Sequence, residues 1–80
     1  MKTVFENDMI VVKETGRDYD FIAIIENKTD KDISIDIGNE SEYYNIKIKA
    51  NDWLGLLCND IDIEIYNAIL SGYFYIKECE

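Results

Sequence analysis

Apolar and polar residues alternate along much of this chain, and short clusters of turn-forming residues interrupt the alternation. The clusters lie at residues 6–8, 14–18, 27–30 and 38–41, which is the short, regular spacing typical of an antiparallel meander. Between and after these clusters, the pattern predicts strands at residues 9–13, 19–25, 32–37, 42–49 and 73–77. The second of these segments is apolar on both alternating faces, which predicts an interior strand. The last one is aromatic and is expected at a sheet edge or beside the N-terminal segment.

The strictest alternation lies in residues 32–37, where every second residue is an isoleucine. One face of this strand is therefore expected in the core, and the other face, with Asp32 and Asp36, in water. Residues 42–49 repeat the scheme with Tyr43 on the outward side, so they are the expected hairpin partner. Asp and Lys side chains are then expected to pair across the two strands.

The pattern changes after Ala50, where apolar residues at helical offsets predict a short helical turn over residues 53–58. Residues 60–71 match both a strand and a helix, because Ile61, Ile65 and Ile69 fit the helical period as well. A helix is favoured, since Asn59 or Asp60 can cap its start and the following acids suit the positive end of its dipole. A glycine at position 72 stands where the helix should end.

These elements predict an α+β fold, with a small antiparallel sheet of about five strands and one helix from the C-terminal half packed on it. If residues 60–66 were a strand instead, the fold would be an all-β sandwich or barrel. With no proline and no linker-like stretch, residues 1–80 are expected to form a single globular domain.

Charge is the strongest compositional signal. The 80 residues include 17 acidic and 8 basic side chains and no histidine, for a net charge of −9. Such a surface is repelled by phosphates, so direct binding to nucleic acid or to anionic membranes is not expected. The same field attracts a basic surface, which makes a basic protein the expected partner.

Catalytic and metal-binding chemistry find little support in the sequence. The absence of histidine removes the commonest general base, and Cys58 and Cys79 lack the spacing of a zinc site. Two acidic segments, starting at residues 30 and 60, begin like calcium loops but lack the glycine and glutamate needed at the sixth and twelfth positions. We therefore expect no enzyme, no metal and no cofactor. The charged N-terminal residues and the two cysteines favour a cytoplasmic protein with free thiols.

The acids are concentrated between residues 18 and 42, a segment with eight acidic residues and only two lysines. Tyrosine is favoured at protein interfaces because it contributes a large contact area at low entropic cost. The candidate partner-binding residues, chosen as acids of the alternating strand and following turn with the adjacent tyrosine, are Asp32, Asp36, Glu40, Glu42 and Tyr43.

In composition, as a small, acidic, histidine-free domain, the chain resembles phage-encoded inhibitors of host defence such as anti-CRISPR proteins. That resemblance implies a nucleic-acid mimic. The expected function is thus a non-enzymatic inhibitor that blocks a basic nucleic-acid-binding surface on a protein partner. The alternative is a small structural or assembly protein that self-associates, for example as a homodimer, through an edge strand or the aromatic C-terminal strand.

Overall fold

A computed structural model describes residues 1–16, 20–38 and 43–79, and in these ranges the chain forms seven strands and one helix. The elements in chain order are β1 (Lys2–Glu6), β2 (Ile10–Glu14), β3 (Phe21–Asn27), β4 (Ile33–Gly38), β5 (Tyr43–Ile48), β6 (Trp53–Leu57), α1 (Asp60–Ser71) and β7 (Phe74–Glu78). All paired strands are antiparallel, as the alternating pattern predicts.

The strands form two separate sheets. One has four strands in the order β1-β2-β3-β6, and the other has three in the order β5-β4-β7. The predicted α+β class with one helix in the C-terminal half is confirmed, and no closed barrel forms. There are seven strands in two sheets rather than the predicted sheet of about five, because β1 and β6 add two strands and the chain crosses between the sheets after β3, after β5 and, through α1, after β6.

The predicted helical turn over residues 53–58 is wrong, since β6 covers most of it. Pairing with the interior strand β3 decides the structure here, and the register runs from Glu26 opposite Trp53 to Phe21 opposite Leu57. The ring of Phe21 lies over Gly55, where any Cβ would overlap it. A glycine in mid-strand thus accepts a close aromatic neighbour, which a helical reading of the local sequence misses.

The core lies between the inner faces of the two sheets and is closed by α1. From the helix, Ile65 and Ile69 are buried, whereas Ile61, predicted to share their face, is 54% exposed. The buried residues of this cluster are Ile10, Val12, Ala23, Ile25, Ile33, Ile35, Ile37, Ile48, Leu56, Ile65 and Ile69. Their mostly β-branched side chains suit a half-buried pleated surface.

The helix begins and ends as its capping residues predict. The Asn59 side chain accepts a hydrogen bond from the Asp62 backbone N–H at 2.8 Å, and Gly72 ends the helix with a positive φ of 83°. The Asp62 carboxylate accepts the Leu57 backbone N–H at 2.7 Å, which joins the end of β6 to the first turn of the helix.

At the end of the sheets opposite the start of α1, the buried side chain of Asn27 connects two segments that cross from one sheet to the other. One segment follows β3 and the other follows β5. The amide nitrogen of Asn27 donates to the carbonyl oxygens of Lys31, Ile48 and Lys49, at 2.8, 3.1 and 3.1 Å. Its oxygen accepts from the backbone and hydroxyl of Thr29. By joining residues 29 and 31 of the segment after β3 to residues 48 and 49 at the end of β5, Asn27 fixes how the chain leaves one sheet and enters the other.

Candidate partner-binding face

The outer side of the three-stranded sheet carries two of the predicted site residues. We call it the tyrosine face. It consists of Asp36, Tyr43, Asn45, Lys47, Tyr75 and Lys77, whose strand positions all point away from the core.

The register of the sheet sets the order of these side chains. Asp36, on the central strand β4, stands between Asn45 on β5 and Tyr75 on β7. Tyr43 and Tyr75 are 68% and 67% exposed. Tyr73, which directly precedes β7, is 63% exposed, and its carbonyl accepts the Gly38 backbone N–H. The face therefore offers aromatic area to a partner without any rearrangement of the strands.

The Asp36 carboxylate is held in place by its neighbours. Asn45 Nδ2 lies 2.6 Å from Asp36 Oδ1, and the Tyr43 hydroxyl donates a second hydrogen bond to the same carboxylate. The Asn45 contact and then the Tyr43 contact are the largest causes that hold the pKa of Asp36 below its usual range. Desolvation opposes them, and the positive charge of Lys77 adds a still smaller lowering effect. Donation to the carboxylate raises the pKa of Tyr43. Asp36 is thus an oriented and fully ionised acceptor at neutral pH.

The face is less acidic than the sequence predicts. The expected Asp and Lys pairing across β4 and β5 does not form in the ladder, because Asp36 stands opposite Asn45, and Lys47 stands opposite Ser34. Lys77 on β7 also stands opposite Ser34. The described part of the tyrosine face therefore carries one carboxylate and two ammonium groups.

The outward side of β4 is also drier than expected at one position, because Ser34 is only 2% exposed. Its short side chain lies on the central strand between the longer chains of Lys47 and Lys77, and it accepts a hydrogen bond from Asn45 at 2.7 Å. Asn45 therefore contacts both polar side chains of β4. On this side of β4, Asp36 is the one ionised side chain.

The other predicted site residues are not all brought to this face. Asp32 precedes β4, and its side chain accepts the Ala50 backbone N–H at 2.9 Å, which gives it a role in the turn after β5. Glu40 and Glu42 lie outside the described residues. Of the five predicted residues, the structure brings Asp36 and Tyr43 together. It adds Asn45 and Tyr75. Asn45 lies on the predicted outward side of the β4–β5 hairpin but falls outside a selection limited to acids and a tyrosine. Tyr75 depends on the pairing of β7 with β4, which is not encoded locally.

The acids at the start of α1, Asp60, Asp62 and Glu64, form another cluster of carboxylates. Two of them already have partners within the chain. Asp62 is engaged in capping, and Glu64 Oε2 accepts the Tyr44 hydroxyl at 2.9 Å. Asp60 is exposed. This cluster therefore serves the helix start and its contact with β5.

The geometry of the described residues does not support other kinds of site. No three of their Cys, Asp or Glu side chains are grouped so as to hold a metal ion. Both cysteines are free thiols, with Cys58 exposed after β6 and Cys79 at the far end of the molecule beside Asp32. The helix of 12 residues in the described ranges is too short to span a membrane.

Comparison of the chain with models of protein families, with curated proteins and with solved structures found no match.

Proposed function

We propose that this chain is a non-enzymatic binding protein that uses the tyrosine face to dock on a basic surface of a protein partner. The observation that carries the proposal is the exposure of Tyr43 and Tyr75 on either side of the oriented Asp36 carboxylate. Exposed tyrosines around a fixed polar group are typical of protein interfaces, and Asp36 can accept a hydrogen bond from a partner's lysine or arginine.

The partner's charge follows from the net charge of −9 rather than from the face alone. The negative field of the whole chain would speed the encounter with a basic protein. In the final contact, Lys47 and Lys77 would repel the partner's basic groups and so set the register. In the narrower form of the proposal, the covered surface binds nucleic acid and the chain acts as an inhibitor, in the manner of the phage anti-defence proteins that it resembles in composition. The two free thiols support a cytoplasmic location.

The test is capture of partners from a lysate of the source organism on the immobilised full chain. Tyr75→Ala and Asp36→Asn are compared with the wild type and with Asn67→Ala, a matched change of an exposed residue on α1. We expect a basic protein that the wild type and Asn67→Ala retain and both face variants release. Affinity for that protein should fall steeply as salt rises, because exposed charges are screened over about 8 Å at physiological ionic strength.

Competition with a labelled nucleic acid then tests the narrower form. If the chain displaces the nucleic acid from the captured protein, the inhibitor reading is supported; if both bind together, the chain is a binding protein of another kind. Capture that is equal for wild type and both face variants would remove the tyrosine face from the proposal.

A second candidate function, self-association, is favoured by the position of β7. It is an edge strand of the three-stranded sheet and carries the exposed Tyr75. Pairing of two copies along β7 would extend this sheet across a dimer. Sedimentation at micromolar concentration distinguishes the two: a dimer that Tyr75→Ala disrupts supports assembly, and a monomer supports the docking proposal.

A further inference from the structure

A notch of about 300 Å³ opens at the end of the four-stranded sheet, beside the turns that follow β3 and β5. It is built from one aromatic side chain, two carboxylates, a lysine and two amides. These residues are Glu26, Asn27, Lys28, Asn51, Asp52 and Trp53.

Trp53 provides the aromatic wall of the notch. It is half exposed, and it stands directly opposite Glu26 in the ladder between β6 and β3. The ring of Phe21 packs edge-on against the indole, with centroids 5.6 Å apart and an interplanar angle of 80°. Phe21 and Trp53 both lie on the outer side of the four-stranded sheet, so this contact supports the indole there.

The charges around the notch leave one carboxylate unbalanced. Lys28 Nζ is 2.9 Å from both Glu6 Oε2 and the Asn7 carbonyl, which draws this ammonium group toward β1. Glu26 Oε1 is 3.2 Å from Lys13 Nζ. Asp52 makes no ion pair with any residue of the described ranges, and its Oδ1 accepts the Trp53 backbone N–H at 2.8 Å, which holds the carboxylate against the backbone of Trp53.

We propose that this notch binds a basic side chain, a lysine ammonium or an arginine guanidinium, of a partner polypeptide. A cation is attracted both by the face of a tryptophan ring, the best aromatic partner for it, and by the adjacent carboxylate of Asp52. An anionic ligand would meet Asp52 and a net charge of −9. The polar atoms of Asn27 are already bonded within the chain, so they do not call for a neutral hydrogen-bonding ligand.

This site is independent of the tyrosine face. The two sheets contact each other through their inner faces, so the outer side of the four-stranded sheet, where Trp53 lies, points away from the outer side that carries Tyr43. Failure of the notch proposal would leave the proposed function intact, and the reverse holds as well.

Trp53 is the only tryptophan in the chain, so its fluorescence reports directly on the notch. The full chain is titrated at constant ionic strength with the N-acetyl methylamides of lysine and arginine, and with that of norleucine as a neutral control. We expect a saturable change in emission for the two cations, with dissociation constants in the millimolar range because the contact is a single side chain. Norleucine should give no saturable change.

Asp52→Asn tests the charge while keeping the oxygen that accepts the Trp53 N–H. It should weaken binding of the cations by about three- to tenfold, in keeping with the strength of one partly solvated charge contact. Asp20→Asn removes the same charge at the other end of β3, and it should leave the dissociation constants unchanged.

Three results would overturn the proposal: no saturable response to either cation up to about 50 mM, well above a millimolar dissociation constant; an equal response to norleucine; or equal affinities for Asp52→Asn and the wild type. Putrescine is the remaining probe, because it carries the same two positive charges as a terminally blocked peptide with two lysines. If it binds more tightly than that peptide at equal ionic strength, the notch accepts a free polyamine, and this fourth result would show that the assignment to a partner polypeptide is wrong.

Discussion

Asn45 Nδ2 lies 2.6 Å from Asp36 Oδ1, across the ladder that joins β5 to β4. The same amide nitrogen is 2.7 Å from the Ser34 hydroxyl, so one side chain on β5 holds two on β4. With the Tyr43 hydroxyl on the same carboxylate, this contact sets the acceptor around which the tyrosine face is arranged. It also makes a direct prediction about the titration of Asp36.

The pKa of Asp36 is expected to lie below the ordinary aspartate value of about 3.9. Asn45→Ala should raise it more than Tyr43→Phe does, because the Asn45 hydrogen bond is the larger cause of the lowered pKa. Since this pKa is lowered by folding, the contacts stabilise the protein above the ordinary value, and that contribution is lost as the pH falls through the lowered pKa. Carbon-detected NMR titration of the carboxyl group measures the shift. An ordinary pKa in the wild type would contradict the arrangement.

A second prediction concerns Asn27, which satisfies five polar groups of the two crossing segments. Asn27 is 3% exposed. Asn27→Ala removes the amide that donates to three backbone carbonyl groups. The free energy of unfolding should fall by about 2–3 kcal/mol, because the hydrogen bonds of a buried amide are lost while the Lys31 and Lys49 carbonyls keep their other donors. Urea denaturation measures it. Asn67→Ala, on the exposed side of α1, is the control and should change it by about 0.5 kcal/mol or less.

Asn59 and Asn27 illustrate how far the sequence predicts the structure. Capping is local, so Asn59 and Gly72 mark the bounds of α1 in the sequence itself. The hairpin of β4 and β5 is equally readable, because its alternation fixes which side chains face the core. Asn27, by contrast, reads as a turn residue, and its role depends on carbonyl groups that are up to 22 positions away in the chain.

The errors share one cause, which is pairing between distant segments. The apolar residues of 53–57 suit a helix as well as a strand, and the free edge of β3 decides between them. Tyr43 could be selected from its place beside the acidic turn. Tyr75 could not, because β7 pairs with β4 only after the chain has passed through β5, β6 and α1. Lys77 likewise comes to lie opposite Ser34 only through the pairing of β7 with β4.

The close contact of Phe21 with Gly55 gives a third prediction. In Gly55→Ala, the added Cβ would overlap the ring, so the ring must move, and its contact with Trp53 must change. The free energy of unfolding should fall by about 1–2 kcal/mol, as for other overpacked sites. In the Phe21→Ala background, the same change should cost nothing or stabilise the strand by about 0.5 kcal/mol, because alanine loses less entropy than glycine.

Thermal or urea unfolding of the four proteins of this cycle measures the coupling, and Trp53 emission reports the movement of the ring. Gly16→Ala is the matched control, since a Cβ there meets nothing within 4 Å. If Gly55→Ala cost the same with and without the Phe21 ring, the contact would not be the reason for a glycine at this position.

The last prediction concerns the free edge of β6. The Asn27 backbone N–H donates to the Asp52 carbonyl, so Asn27 and Asp52 are a hydrogen-bonded pair of the antiparallel ladder between β3 and β6. Since every second pair along such a ladder is hydrogen-bonded, the backbone N–H and C=O groups of Trp53 and Gly55 point away from β3. An uncharged strand with an open edge is a template for pairing with another chain. Here the Asp52 side chain accepts the Trp53 N–H and the Asp62 side chain accepts the Leu57 N–H.

Two carboxylates therefore cover both ends of the edge, and we expect them to keep β6 from pairing with a second copy. Asp52→Ala with Asp62→Ala should give dimers whose fraction rises with concentration, whereas the wild type should show no such association through β6. The control is Asp30→Ala with Asp60→Ala, which removes the same two charges and one acid from the first turn of α1 but leaves both edge contacts in place. Analytical ultracentrifugation over a range of protein concentrations compares the three proteins. Equal association of both double variants would assign the effect to reduced charge repulsion, and a double variant that stays monomeric would show that the carboxylates do not protect this edge.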